Sequence, residues 1–265
     1  MKNLILVKLG GSLITNKNKP YTAKPATIKR LAREIESGWG KGFRFIISHG
    51  SGSFGHTSAT KYKTADGFKK KKDVFGLAVV QQDALKINRI INEIFIGGRL
   101  PCLSFVPSSF TLADNKKLAK IFIEPIIQTL KIDALPLVFG DVILDTKIGC
   151  CIFSGEVTLN NLSSRLGKRG FKIKKVIQCG TTDGVYDATG KTIPKITPKN
   201  FKKFKSWITE SNEVDVTGGM LHKVKESLKI AKLGIDVFII NGKRKGNLYQ
   251  TIISQPKMGT LICFK

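Results

Sequence analysis

The chain is 265 residues long, 42% hydrophobic and 24% charged, a composition that supports a large buried core and excludes a disordered or fibrous protein. No apolar run reaches the roughly 20 residues a membrane helix requires. The apolar start at Leu4 to Val7 is broken by Lys8 and a Gly-Gly turn, which argues against a signal peptide. A formal net charge of +26 leaves open a nucleic-acid binder and an enzyme for multiply anionic substrates.

The densest basic run, Lys69-Lys70-Lys71-Lys72, has only Phe68 and Phe75 near it, few aromatics for a surface that stacks bases, so the enzyme class is favoured. Cys102, Cys150, Cys151, Cys179 and Cys263 are odd in number and lack CxxC spacing. They read as reduced thiols in a cytoplasmic core.

In chain order, residues 3–9 read as a first strand closed by the turn Gly10-Gly11-Ser12. Ile28, Leu31, Ile35 and Trp39 recur at helical spacing and predict a helix over about 27–40, capped by Thr27. A second strand, 43–48, runs into Ser48-His49-Gly50-Ser51-Gly52-Ser53-Phe54-Gly55-His56, after which 57–72 reads as polar and irregular. Asp73 is placed to cap a long helix to about Ile96, Pro101 to Phe105 predicts a third strand, and 116–131 a further helix. Leu135 to Phe139 predicts a fourth strand ending at Gly140-Asp141, followed by a hairpin of Val142–Thr146 and Cys150–Phe153. A helix over 156–168 and a strand over Ile173–Cys179 come next; 188–214 reads as peripheral. Asp215-Val216-Thr217-Gly218-Gly219-Met220 introduces a helix over 220–233, and the chain closes with Ile235–Ile240, a segment around 246–253, and Gly259–Phe264. Strands alternating with helices predict an α/β fold whose largely parallel sheet is covered on both faces, in a single domain.

Glycine turns after two successive strands suggest one site holding two phosphate groups, since glycine lets backbone N–H groups approach an anion closely. Gly50-x-Gly52-x-x-Gly55 formally matches the dinucleotide fingerprint. That fingerprint requires a helix directly after the glycines and an acid about 20 residues on, and neither is read here; a Walker-type P-loop is also absent. Phosphoryl transfer fits better, because it demands positioning and charge neutralisation. Lys8 leaves the first strand just before Gly10, and a buried lysine without an anionic partner would be costly, which marks it out from a surface residue. Lys17 offers a second cation, with a solvated loop lysine as the plainer reading. Gly218-Gly219 at a helix head offers N–H groups to an anion, with Lys223 one turn inside. His49 reads as structural and His222 as a helix-surface residue. Phe75, Val79 and Ile152 are candidates for an apolar wall, with core packing the plainer reading.

Lys8-x-Gly10-Gly11-Ser12, the His49 to His56 loop, Gly140-Asp141, Thr182-Asp183-Gly184-Val185-Tyr186 and Thr217-Gly218-Gly219-Met220 with Lys223 follow one another in an order that resembles the amino acid kinase family over nearly the whole chain. Within that family the chain is most similar to members acting on isopentenyl phosphate, through Gly-Ser-Phe-Gly-His56 and Ser-Leu-Ile-Thr-Asn-Lys17. The resemblance implies a three-layer αβα sandwich, with residues about 1–155 binding the acceptor and about 156–265 the nucleotide. It implies ATP and Mg²⁺ as cosubstrates, isopentenyl phosphate as acceptor, and a homodimer. It places Lys8, Lys17 and Lys223 on the ATP phosphates, Gly10, Gly11, Ser12, Gly218 and Gly219 around them, and Asp183 on the nucleotide side. Gly50, Ser51, Gly52, His56 and Gly155 fall to the acceptor, and Asp141 organises the lysines or water about the metal. Kinases of the same fold for phosphonates, carboxylates or carbamates are one alternative, and a nucleotide- or nucleic-acid-binding protein on the same scaffold is the other. His56 discriminates, because only a phosphate acceptor calls for a donor aimed at it. The chain departs from the family pattern at three places: Ser51 stands where a small residue, often glycine, is usual, Glu156 where an Asp is expected, and Cys179-Gly180-Thr181-Thr182-Asp183 lacks one acid of the commoner pattern before Asp-Gly.

Overall fold

A computed structural model of the chain describes residues 3–68, 73–210, 219–256 and 258–265. From the N-terminus these run β1 (Leu4–Leu9), α1 (Gly11–Ile14), α2 (Pro25–Gly40), β2 (Arg44–His49), α3 (Gly52–Tyr62), α4 (Val74–Gly97), β3 (Cys102–Ser104), α5 (Pro107–Phe110), β4 (Thr111–Asp114), β5 (Lys117–Ile121) and α6 (Glu124–Lys131). There follow β6 (Leu135–Phe139), β7 (Asp141–Asp145), β8 (Gly149–Phe153), α7 (Gly155–Lys168), β9 (Ile173–Gly180), β10 (Lys195–Ile196), α8 (Phe201–Glu210), α9 (Gly219–Ala231), β11 (Val237–Asn241), α10 (Asn247–Ile253) and β12 (Thr260–Ile262).

Eight strands form the main sheet in the order β10-β12-β11-β9-β1-β2-β6-β3, parallel throughout except between β11 and β12. β1 lies inside the sheet and is buried along its length, which is why its sequence is apolar almost without alternation. Ile5, Val7 and Leu9 join a cluster with α2, α4 and α10, while Leu4 and Leu6 face one built from α6, α7 and α9. The two-residue strand period therefore sends Lys8 to the α7 side, in register with Ser48 and Gln178. A second sheet, β5-β4-β7-β8, contains the expected β7–β8 hairpin.

Four local expectations are corrected. α2 starts at Pro25, with Lys24 rather than Thr27 at its N-cap, because proline is pre-set for the first helical position, where its missing N–H is no loss. Residues 57–62 are not irregular but continue α3, which begins directly at Gly52. The chain still departs from a dinucleotide fold: α3 is followed by α4, and the next strand, β3, ends in Ser104 at the sheet edge. The span 116–131 divides into β5 and α6, because Asn115 and Lys116 adopt left-handed φ of 49° and 64° and turn the chain back on β4, and Pro125 starts a new helix. The stretch 188–210 is not merely peripheral, since α8 brings Trp207 and Ile208 to the wall of the site, while 211–214 lie outside the described residues. The run Lys69–Lys72 lies outside the described residues, and Asp73 stands at the N-cap of α4 without a side-chain capping bond.

Candidate active site

The carboxyl ends of β1, β2, β6 and β9 meet at one edge of the parallel sheet, where such folds place ligands. Gly10 N–H donates to Cys179 O at 2.8 Å, Gly50 N–H to Leu9 O at 3.0 Å, and Gly140 N–H to His49 O at 2.8 Å, so each turn hangs from its neighbour. The first two glycine turns touch backbone to backbone: a Cβ on Gly11 would sit 2.7 Å from both N and Cα of Gly52, and one on Gly50 2.9 Å from Gly11 N. Thr15 Oγ1 pins them together, donating to Gly11 O at 2.8 Å and accepting from Ser53 N–H at 3.0 Å. The Ser51 hydroxyl donates to Gly140 O at 2.7 Å, tying the second turn to the third. Where glycine was expected, serine adds a strut.

A cavity of about 750 Å³ opens over these turns. It is lined by Lys8, Gly10, Gly11, Ser12, Lys17, Gly50, Ser51, Gly52, His56, Asp141, Gly155, Gly219 and Lys223, so the expected residues of both halves converge. Gly218 lies outside the described residues. Asp183 stands beside the wall, where Thr182 and Val185 line it. Its carboxylate is held by Arg244 (Nε–Oδ1 2.6 Å, Nη2–Oδ2 2.9 Å) and Asn241 Nδ2 (2.9 Å). The hydrogen bonds from Arg244 and then Asn241 bring its pKa down to about 2.

Lys8 is only 7% exposed, and the partner its burial demands is Glu156, on the first turn of α7. Burial opposes ionisation of Glu156, but the pull of Lys8 and then Lys223 outweighs it and holds the carboxyl below its usual value. Lys223 approaches from α9, its Nζ 3.5 Å from where a Gly180 Cβ would lie. The acid paired with Lys8 is thus Glu156. Asp141 opens β7 and accepts N–H bonds from Ser108 (3.1 Å) and Val142 (2.8 Å), and burial pushes its pKa up to about 6. Glu156 was legible in one respect: it continues the buried stripe of Leu159, Leu162 and Leu166, at a position where a carboxylate needs a partner.

His49 is structural, as expected. It is fully buried, stacked on Phe139 and 3.1 Å from Asn88 Nδ2, and burial, reinforced by Lys8, lowers its pKa to about 4. Because the Asn88 amide donates, His49 Nε2 accepts and the proton resides on Nδ1, facing Gly50 O at 3.2 Å. His222 is not a surface residue: it lines the cavity, with Nε2 3.1 Å from Ser154 Oγ.

Beside His56 the wall turns apolar, with Ala59 of α3, Val80 and Ala84 of α4, Val142 and Ile152. Ile152 was a candidate for that wall. Phe75 and Val79 do not line the cavity; Phe75 is 68% exposed and packs edge-on against Tyr62, so α4 presents the adjacent stripe. Tyr186 and Met220, from two of the quoted motifs, and Trp207, which was not anticipated, line the wall contributed by the C-terminal half.

Fold and cavity together define a mainly parallel α/β sandwich with paired glycine turns at the carboxyl edge of its sheet, opening into a cavity lined by Lys8, Lys17 and Lys223. The model of the amino acid kinase family matches residues 3–241, and the chain belongs to that family. It is 32% identical to isopentenyl phosphate kinase of Methanocaldococcus jannaschii over 98% of this chain and 99% of that protein. It is 30% identical to the Methanothermobacter thermautotrophicus protein of the same name over 99% of this chain and all of the relative (100%). A crystal structure described as isopentenyl phosphate kinase superposes with a TM-score of 0.77 at 29% identity, covering 98% of this chain and 100% of that one.

Proposed function

We propose that the protein transfers the γ-phosphoryl group of ATP to isopentenyl phosphate, forming isopentenyl diphosphate for isoprenoid synthesis. The observation that carries this reading is the apolar wall beside His56 in the same cavity as the lysine-lined glycine turns, a shape suited to a phosphate with a short hydrocarbon tail. The attacking oxygen of a phosphate monoester is largely ionised at neutral pH, its second pKa being about 6. No general base is needed. The obstacle is repulsion between two polyanions, about 4 kcal/mol per pair of unit charges at 4 Å in an intermediate dielectric.

Lys8, Lys17 and Lys223 offset that repulsion at the transferring group, with Glu156 holding Lys8 and Lys223 in place. Gly10, Gly11, Ser12 and Gly219 surround the nucleotide phosphates, and Asp183 fixes the Arg244 side of the nucleotide half. Gly50, Ser51, Gly52 and Gly155 surround the acceptor phosphate, and His56 donates to it. Mg²⁺ belongs to the nucleotide substrate, held by its phosphates and water, with Asp141 orienting water about it; among the described residues no three His, Cys, Asp or Glu converge into a cation site. Residues about 1–155 serve the acceptor and about 156–265 the nucleotide. The protein acts in the cytoplasm, consistent with five buried free cysteines, and as a homodimer; β3, with exposed Leu103, is an open edge of the main sheet.

The test is a kinase assay with ATP and Mg²⁺ over a panel of acceptors. Isopentenyl phosphate should be consumed at least about 100-fold faster than acetylglutamate, glutamate, carbamate or fosfomycin. Preference for any of these would overturn the acceptor assignment.

A further inference from the structure

α7 and α9 enter the cavity side by side, and polar pairs join them at successive levels. At the top, Ser154 Oγ, which caps α7 by accepting Val157 N–H at 3.2 Å, lies 3.1 Å from His222 Nε2. Below it, Glu156 of α7 pairs with Lys8, and the charge of Lys223 on α9 also helps hold its carboxyl ionised. Deeper still, Asn160 Nδ2 donates to Glu226 Oε2 at 2.8 Å, and Lys229 holds the other oxygen of Glu226 at 2.5 Å. The upper pair also reaches across the site. The Ser154 Cα lies 3.7 Å from where a Gly140 Cβ would stand, and Gly140 O is held by Ser51 of the second glycine turn.

We infer that His222 is a positioning residue, which ties the nucleotide-binding half to the acceptor-binding half through Ser154 and thereby sets Lys223 against Glu156. The inference rests on the kinase reading above. His222 precedes Lys223 and is one turn from Glu226, so losing its bond frees the first turn of α9 while the Asn160–Glu226 pair keeps the helix docked. The consequence is selective. His222 is only half-buried, so its removal opens no core cavity, yet it releases the lysine whose placement matters in the transition state.

The test compares His222→Ala, His222→Gln, Ser154→Gly and the His222→Ala/Ser154→Gly pair; glycine is chosen at 154 because it is a tolerated N-cap. For His222→Ala we expect kcat about tenfold lower, KM for ATP about threefold higher, and a melting temperature within about 2 °C of the parent. His222→Gln, whose amide also reaches Ser154, should recover most of kcat, and the double variant should be no worse than His222→Ala alone. Hydrogen exchange of residues 222–226 should be about tenfold faster in His222→Ala, whatever the substrate. Equal defects in the Ala and Gln variants, or unchanged exchange in His222→Ala, would overturn the inference. A parent protein inactive on isopentenyl phosphate would instead overturn the kinase reading, and exchange would still decide the role of His222.

Discussion

Replacing Glu156 by Gln keeps the size of the side chain and removes its charge, leaving Lys8 as a buried cation without its counter-ion. The two side chains are 9% and 8% exposed, so solvent cannot substitute for the lost partner. Neutralising one member of a buried pair typically costs about 3–5 kcal/mol. At about 2–4 °C per kcal/mol for a chain of this size, the lower figure predicts a melting temperature about 6–12 °C below the parent. Misplacing Lys8 by the same energy corresponds to roughly a 100-fold loss in kcat. The nucleotide brings negative charge to the place the carboxylate vacated, so saturating ATP should restore more thermal stability to Glu156→Gln than it adds to the parent. Thermal melts with and without ATP, together with steady-state rates, measure all three quantities. A variant melting within about 1 °C of the parent, with kcat within twofold, would show that Glu156 does not hold Lys8 and would refute the electrostatic account of the site.

A methyl group on Gly11 has no room against Gly52, so Gly11→Ala should cost about 1–3 kcal/mol in denaturant unfolding and abolish most activity; full activity would mean the turns do not meet. His56→Ala should lower the rate with the phosphate acceptor about 100-fold while calorimetric ATP affinity stays within about twofold; equal losses would place His56 on the nucleotide. Asp141 titrates near 6 when folded and near 4 when unfolded, so between those values the folded state binds the extra proton. Its contribution is therefore present below about pH 4 and lost as pH rises through about 6. Urea unfolding from pH 4 to pH 7 should show Asp141→Asn gaining about 2–3 kcal/mol relative to the parent across that window; parallel curves would contradict the burial shift.

The order of strands and helices was legible because apolar periodicity reports burial directly, and β1, β2, β6 and β9 are largely buried runs with a glycine at or directly after their ends. What escaped was whatever depended on distant segments. α3 looked irregular because Ser53, Thr57, Ser58 and Thr60 favour turns locally, yet Phe54 and Ala59 are buried and hold the helix in place. The β4–β5 hairpin needs Asp145, 30 residues beyond Asn115, whose carboxylate accepts the turn's N–H groups at 3.0 and 2.7 Å. Lys8 advertised that it lacked a partner without saying which acid would supply one. His222 could not be told from a surface histidine until α9 was laid against Ser154.

The contact of Gly11 with Gly52 has a practical corollary. Gly11 and Gly52 bring no Cβ of their own between the two turns, which line one cavity, so a single inhibitor carrying a nucleotide polyphosphate joined to a short branched hydrocarbon phosphonate should span both. Such a bisubstrate compound would collect both sets of binding interactions while losing rigid-body freedom only once.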